Sequence, residues 1–436
     1  MSKIEVNQIS SQCGSTLTIG QSGDTVTLAS GATQTGFGRT GTVDWCTTAK
    51  TAPFTGVSGK GYFVNTTCGA VTVTLPATPT AGDIISIKDY ARTFGINNIT
   101  LCRNGSKMDG TCANGVINTT GESTTLIYVD GTKGWTSILD NTTAQYGAAY
   151  VTATGGTITT CGNYKIHTFT SDGCFSVLNA GNPAGSTTVD YLVVAGGGGS
   201  GGGGGGAGGY RESKCATTSG CWTASPLASA TSLPVSVTTY PITVGAGGAA
   251  KTGSPYPSPG NNGTSSIFST ITSSGGGGSG GYETPGNPGG SGAGGTGGGT
   301  ECAGSGNTPP VNPPQGNPGG ATTGTGADAG GGGAGSPGSV GGTPTPPYTG
   351  GAGGAGVTTS ISGSPTAYAG GGGGGSNSAG AGGAGGIGGG GDGISPTGGG
   401  TAGTANTGGG AGGATRACGI GAAGGSGIVI IRYKYQ

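Results

Sequence analysis

The sequence predicts an all-β protein built in three consecutive parts. Three observations support this fold class: short alternating apolar runs, no sustained helical period, and a second half dominated by glycine. The chain has 436 residues, including 111 Gly, and only 7% of them are charged, against about 7% Gly and about 25% charged residues in typical proteins. We expect an N-terminal trimeric β stem (1–44), an antiparallel β-sandwich (45–146) and a β-framed polyglycine II helix bundle (147–436).

The stem is predicted from two short strand-like runs within residues 15–30. Leu17 and Ile19 in the first run, and Val26 and Leu28 in the second, place apolar groups on one strand face. So little apolar area does not support an independent fold, whereas several chains packed face to face would bury it. We therefore expect a parallel homotrimer whose stem attaches to other proteins of the assembly.

The richest strand signals lie between residues 45 and 140. VTVTLP, DIISIKDY, NITLC and TTLIYVDG each alternate apolar and polar residues between turn residues, and GWTSIL closes the region with Trp135. Runs of this length predict an antiparallel sandwich with a Trp, Tyr and Ile core. About 100 residues are enough to bury one such core.

These motifs carry a resemblance to a known family. YFVNT, VTVTLP, GDIISIKDYA, NITLCRNGS and YVDGTKGW occur here in order, preceded by a GFGRTGTVDW junction. Over residues 1–140 the chain resembles tail-fibre proteins of marine bacteriophages, including cyanophages. The resemblance implies a virion protein that is assembled in the host cytoplasm. The many cysteines depart from the family pattern.

Beyond residue 147 the two ends of the glycine-rich part are predicted to meet. VDYLVVAG precedes the first glycine run, and the chain closes with GSGIVIIRYKYQ. An apolar terminal strand left in solvent would be an aggregation hazard. We expect residues 428–435 to pair with VDYLVVAG and to close one sheet around everything between them.

The glycine runs allow two interpretations, a flexible linker or an ordered bundle. Ordering a residue costs roughly 1–2 kcal/mol, and a backbone hydrogen bond returns only about 0.5–1.5 kcal/mol. A bundle therefore needs every backbone group paired and a sheet that frames it. Strand-like anchors in TTYPITVGAGG and SSIFSTITSSGGGG, including Tyr240 and Phe268, favour the ordered bundle.

Residues 157–436 resemble the glycine-rich carboxy-terminal domain of phage fibres and tail-tip adhesins. YLVVAGGGG, YPITVGAGG, SIFSTITSSGGGG and GGSGIVIIRYK carry this resemblance. It implies polyglycine helices stacked in a sandwich, with loops at one end that contact the host. Whether the helices pack within or between chains stays open.

Candidate binding residues are aromatic or basic side chains in polar segments between glycine runs. Loops on a rigid scaffold commonly bind ligands, and Tyr and Trp offer a large contact area at low entropic cost. The same residues would otherwise fill subunit contacts or cap the runs. The candidates for receptor binding are Tyr210, Arg211, Trp222, Tyr282, Tyr348 and Tyr368.

Catalytic and metal sites are not expected. His167 is the single histidine, and we expect it on a surface or at an interface rather than in a catalytic dyad with Asp172. The 11 cysteines form no Cys-x-x-Cys pair, which argues against a zinc site. They would form disulfides in an oxidising medium or remain small buried thiols. We expect no catalytic residue, no metal and no cofactor.

The function expected from these features is that of a phage fibre or adhesin subunit, structural and receptor-binding, located in the virion as a tail or capsid fibre. Its expected partners are itself as a homotrimer, other virion proteins, and a host surface glycan or outer-membrane protein. Zero net charge and the lack of an apolar span predict no nucleic-acid binding and no membrane insertion. The alternatives are a head fibre or decoration protein without a receptor role and a polysaccharide-degrading tailspike; a bacterial surface adhesin is disfavoured because no export signal is visible.

Overall fold

A computed structural model shows an all-β protein without helices in the part of the chain that it describes. The predicted fold class is confirmed. The stem prediction lies almost entirely outside the described residues, which are 43–138, 149–183, 185–216, 218–251, 258–297, 302–324, 326–342, 346–376, 380–395, 398–414 and 420–436.

The N-terminal sandwich consists of two sheets. One has the strand order β1-β3-β5-β8-β9 and the other the order β2-β4-β6-β7. The strands are β1 (Asp44–Lys50), β2 (Phe54–Thr55), β3 (Lys60–Val64), β4 (Val71–Thr74), β5 (Ile84–Asp89), β6 (Ile99–Cys102), β7 (Gly115–Ile117), β8 (Ser123–Tyr128) and β9 (Trp135–Ser137).

The predicted antiparallel pairing is wrong for the first six strands. β1, β3 and β5 pair in parallel, and so do β2, β4 and β6. The chain alternates between the two sheets, so each strand of one sheet serves as the crossover for the other. Only β7, β8 and β9 join in antiparallel fashion. Alternating apolar residues report which face is buried, not the direction of the neighbouring strand.

The space between these two sheets is filled by the predicted aromatic and aliphatic core. Trp135 is fully buried there, and Tyr128 contacts it with ring centroids 5.6 Å apart. The predicted core of this region is confirmed. Its buried members are Tyr62, Val64, Val71, Val73, Leu75, Ile85, Ile87, Phe94, Ile99, Leu101, Met108, Ile117, Leu126 and Trp135.

The glycine-rich module, residues 149–436, contains two larger sheets. Their strand orders are β10-β13-β18-β19-β20 and β11-β12-β23-β14-β15-β16, with β17 on β14, and β21 and β22 form a separate hairpin. The strands are β10 (Val151–Thr154), β11 (Thr157–Cys161), β12 (Tyr164–Phe169), β13 (Gly173–Ala180), β14 (Thr188–Val194), β15 (Tyr210–Ser213), β16 (Ala228–Ser229), β17 (Leu233–Pro234), β18 (Thr239–Thr243), β19 (Ser266–Phe268), β20 (Ile271–Ser273), β21 (Val357–Thr359), β22 (Thr366–Tyr368) and β23 (Ile428–Lys434).

The C-terminal strand β23 lies in the middle of its sheet. It pairs antiparallel with β14 on one side and with β12 on the other. The predicted closure of the module by its last strand is therefore confirmed. The chain between β14 and β23 starts and ends on adjacent strands.

Alternation along β14 and β23 separates two hydrophobic cores. Val193 and Ile431 face the opposite sheet and pack with Phe175 and Phe268. Leu192 and Ile430 face the other way and pack against side chains carried by the glycine runs. The predicted core positions of Phe268, fully buried, and Tyr240, partly buried, are confirmed. One sheet thus joins a conventional sandwich to the glycine runs.

The glycine runs are hydrogen-bonded to one another with a three-residue period. The amides of residues 204 and 207 donate to carbonyls of residues 329 and 332, and those of 205 and 208 to 411 and 408. Those of residues 206 and 209 donate to 277 and 274. The amides of this run therefore donate to three neighbouring runs, and amides three residues apart donate to the same run. This spacing is the one that an extended helix with three residues per turn requires.

The close approach of neighbouring runs depends on the missing side chains. A Cβ atom built on Gly204 would lie 2.0 Å from the carbonyl oxygen of Gly372, and one on Gly197 would lie 2.0 Å from that of Gly409. Ordinary carbon contacts need more than 3.4 Å. Glycine is thus required here for packing rather than for backbone flexibility.

His167 lies inside the module, and its predicted surface or interface position is wrong. The side chain is fully buried, its Nδ1 lies 2.7 Å from the carbonyl oxygen of Gly155, and its Nε2 lies 3.0 Å from the hydroxyl of Tyr433. Since a carbonyl only accepts, Nδ1 carries the hydrogen and Nε2 accepts from Tyr433. The Tyr433 oxygen in turn accepts from the amide of Ala153. The imidazole thereby connects β12, β23 and β10.

This arrangement predicts a histidine-dependent loss of stability in mild acid. Burial lowers the pKa of His167 below its usual 6.5, so the unfolded chain binds a proton more readily than the folded one. The stabilisation is complete above pH 6.5 and decreases as the pH falls from 6.5 toward the lower folded pKa. We expect the wild-type protein to lose more thermal stability between pH 7 and pH 5 than His167→Gln does. Equal pH slopes in differential scanning calorimetry would contradict this role.

Candidate functional site

Loops that connect successive glycine runs lie at the end of the module away from the sheets. We call them the distal loops. The run that leaves β14 turns at residues 201–203 and returns to β15, because the amide of Ala195 bonds to Gly209 and that of Gly198 to Gly206. The runs that follow β18 and precede β19 pair in the same way. The described parts of these distal loops include residues 201–203, 281–285, 321–324 and 346–349.

Buried hydroxyl groups terminate the runs at this distal end. Ser279 accepts from the amide of Gly201, at 2.5 Å, and Thr296 accepts from the amide of Gly203, at 3.0 Å. Both side chains are fully buried. They satisfy amides that no longer have a neighbouring run, as capping side chains do at helix ends. These contacts fix where the distal loops begin.

Two of the six candidate binding residues lie in the distal loops. Tyr282 follows the run that ends at Ser279, and the carbonyl of Tyr348 accepts from Ser376 at 2.5 Å. Ser376 follows Gly375, whose amide bonds to Gly202. Both tyrosines are half-buried. The topology thus brings Tyr282 and Tyr348 to the same end of the module although they are far apart in sequence.

Tyr210, Trp222 and Tyr368 lie at the other end, in the core between the sheet and the glycine runs. They are 1%, 8% and 4% exposed. Burial to this extent argues against a direct contact with a receptor. The signal that placed them among the candidates, an aromatic residue beside a glycine run, also describes a residue that packs where a run meets the sheet.

A buried carboxylate fixes this core. Glu212 is 2% exposed, and it accepts hydrogen bonds from the hydroxyl groups of Tyr210, Ser225 and Thr359. The amide of Ser225 adds a fourth bond at 3.0 Å. Burial raises the pKa of Glu212. The network connects β15 to the segment 214–227 and to the hairpin β21–β22. The sequence pattern did not identify Glu212 as a site residue.

Arg211, the sixth candidate, is half-buried on β15, next to the buried Tyr210. It lowers the pKa of Tyr191, which burial raises. Arg211 is therefore not in the distal loops either. The structure brings together Tyr282 and Tyr348 at one end, and Tyr210, Arg211, Trp222 and Tyr368 near the sheet.

A cavity of about 570 Å³ opens beside the segment 214–227. Its lining includes Arg432 of β23, Asp190 of β14 and Tyr164 of β12. Arg432 lies over the rings of Tyr164, at 4.9 Å, and Trp222, at 5.8 Å. We call this space the Arg432 cavity. No sequence motif pointed to it, because its walls come from segments distant in the chain.

In the described ranges, no three His, Cys, Asp or Glu residues are grouped closely enough to hold a metal ion. No helix of sufficient length and apolarity to span a membrane is present among the same residues.

The fold and its hydrogen-bonded runs define a glycine-rich all-β protein. A family model described as a glycine-rich domain matches residues 170–434, which is more than half of the chain. The chain therefore belongs to the glycine-rich domain family. Comparison with curated proteins gave no match. The resemblance of the second half to a glycine-rich domain is confirmed, whereas the phage origin stays a prediction.

Proposed function

We propose that this chain is a fibre or adhesin subunit that displays the distal loops to a host surface. The observation that carries the proposal is the convergence of these loops at the end of the module opposite its sheets. Binding residues are commonly found on loops that a rigid scaffold positions. Tyr282 and Tyr348 are the receptor-binding residues that this arrangement supports best.

The scaffold in this proposal is a polyglycine II lattice. The three-residue hydrogen-bond period and the contacts of about 2 Å that a Cβ would make support it. Adjacent runs of this kind hold each other through amide bonds and close Cα–H contacts. A lattice of paired backbone holds its loops in place with few large side chains, which fits the low charge and high glycine content.

We also infer that the chain acts as a homotrimer in a virion. Its attachment to other virion proteins is assigned to residues 1–44, almost all of which lie outside the described residues, and the module points outward. The resemblance to marine phage tail fibres supports this part. The chain acts by binding rather than by catalysis, and its ligand is a surface glycan or an outer-membrane protein.

The receptor role is tested by replacing both distal tyrosines. We expect Tyr282→Ala combined with Tyr348→Ala to reduce adsorption of the labelled protein to marine cyanobacterial strains by about tenfold or more, as for central interface aromatics. Unfolding temperature should change little, because both side chains are half-buried at loops. The measurement is cell-bound fluorescence over a protein concentration series.

Tyr90→Ala is the matched control, since Tyr90 is 59% exposed on the N-terminal sandwich. This variant should adsorb as the wild type does. Full adsorption of the double variant would assign the chain a purely structural role, as in a head fibre or decoration protein. Failure of the wild type to adsorb to any strain of the panel would equally count against the receptor role.

A further inference from the structure

Among the described residues, Arg432 in the cavity named after it is a buried cation that forms no ion pair. Arg432 is 3% exposed and lines the cavity wall. Among the described residues its guanidinium forms one hydrogen bond, from a terminal nitrogen to the carbonyl of Ile361 at 3.3 Å, and its Nε has no acceptor. Leaving a buried guanidinium without a carboxylate is costly. Such a group is expected where a bound anion completes its coordination.

The carboxylate in the cavity lining, Asp190, does not serve as that partner. Asp190 lies opposite Arg432 in the register of β14 and β23, yet the two side chains form no ion pair. Its Oδ1 instead accepts from Ser232 at 2.5 Å. Burial raises the pKa of Asp190, and Arg432 lowers it only as a minor influence. Arg432 and Asp190 therefore interact at longer range and form no direct ion pair.

The remaining lining is basic and rich in hydroxyl groups. Lys434, half-buried on the same strand as Arg432, also lines the cavity, and its Nζ lies 5.4 Å from the ring centroid of Tyr150. Thr187, Thr188 and Thr218 also line the cavity. Their hydroxyl groups form no hydrogen bond within the described chain, and a hydroxyl both donates and accepts. This pattern suits a ligand that carries several hydroxyl groups and a negative charge.

We propose that the Arg432 cavity binds an acidic sugar residue, a polyhydroxylated ring that bears a carboxylate. The carboxylate lies against Arg432 and Lys434, and the ring hydroxyls bond to the threonine hydroxyls of the wall. A planar guanidinium suits a carboxylate because both can form two parallel hydrogen bonds. The volume of about 570 Å³ lies within the range of roughly 300–1,000 Å³ that small-molecule sites occupy.

The biological source of this sugar rests on the proposed function, in which the chain binds a host surface glycan. A surface glycan with acidic residues would then be held at two places, the distal loops and this cavity near the sheet. The two sites are separated by the length of the glycine runs. Their contributions can therefore be measured independently.

The test uses the full chain and methyl glucuronide, with methyl glucoside as the neutral match. Isothermal titration calorimetry should show millimolar binding of the glucuronide, weakened by added salt, and no saturable binding of the glucoside. Arg432→Gln should weaken glucuronide binding by about tenfold or more, as expected for loss of a charge-assisted bond. Lys434→Gln, at a half-buried position, should weaken it about threefold or more through loss of one positive charge near the ligand.

Lys165→Gln is the control, because Lys165 lies on β12 outside the cavity lining; its affinity should equal that of the wild type. Equal binding of glucoside and glucuronide, or none of either by folded protein, would overturn the proposal. The proposal would also be overturned if folded Arg432→Gln and Lys434→Gln both bound glucuronide with the wild-type affinity. Tighter binding of glucose 6-phosphate than of glucuronide would overturn the carboxylate assignment.

Cell adsorption separates this inference from the proposed function. If the Tyr282 and Tyr348 variant loses adsorption while the wild type does not bind glucuronide, the receptor role stands and the cavity assignment fails. If glucuronide binds to Arg432 while no strain adsorbs the wild type, the cavity assignment stands and the receptor role fails.

Discussion

Gly204→Ala is expected to destabilise the glycine-rich module by about 3 kcal/mol or more, near the upper end of measured overpacking effects. The added Cβ would lie 2.0 Å from the oxygen and 2.6 Å from the carbon of Gly372, and 2.8 Å from the nitrogen of Gly331. All three atoms belong to backbone, so no side chain can rotate away. The unfolding temperature of the module should fall by roughly 6–12 °C.

Gly324→Ala is the matched control for this substitution. No heavy atom lies within 4 Å of a Cβ built at Gly324. Alanine restricts the unfolded chain, which gives an effect between zero and about 1 kcal/mol of stabilisation. In calorimetric scans, the shifts in unfolding temperature of the two variants relative to the wild type should therefore differ in sign or at least in size. Equal unfolding temperatures would contradict a lattice that depends on missing side chains.

Removal of β23 should have the largest effect of all. Truncation after Gly427 deletes five buried apolar side chains, Ile428, Val429, Ile430, Ile431 and Tyr433, each worth about 1.5–3 kcal/mol. The sum of roughly 8–15 kcal/mol matches the whole stability of a typical domain. It also separates β12 from β14. We expect the glycine-rich module not to fold.

Hydrogen exchange followed by mass spectrometry measures this result by region. In the truncated chain, amides of residues 196–209 should exchange at the rate of unstructured peptide, whereas the sandwich of residues 43–138 should keep its protection, because its core is separate. Deleting only the exposed Gln436 should change neither region. Continued protection of 196–209 in the truncated chain would show that the glycine runs order themselves without the sheet.

The closing role of β23 was predictable because its consecutive apolar residues 428–431 would be exposed to solvent unless they paired. The strand segments of the N-terminal sandwich were predictable for a similar reason, since alternation such as Val71 and Val73 reports one buried face. His167 shows the limit of this reasoning. Its burial depends on Gly155, in the connection between β10 and β11, and on Tyr433 of β23, and neither partner is local in sequence.

The sequence likewise predicted only part of the candidate site. Aromatic residues beside glycine runs were recognisable as important, but their pattern did not distinguish Tyr282, in a distal loop, from Tyr210, in a core. Arg432 was not recognised, because the cavity that it lines is assembled from segments distant in sequence.

The sequence by itself determined the all-β class, the position of most strands and the pairing of the last strand with β14, whereas the close approach of the glycine runs appears only in the structure. The tertiary structure decided the parallel order of β1 to β6, the burial of Tyr210, Trp222, Tyr368 and His167, and the gathering of the distal loops. The physical reason is that the local sequence pattern indicates only which side chains are buried. Strand direction, side-chain partners and the grouping of loops depend on which distant segments pack against each other.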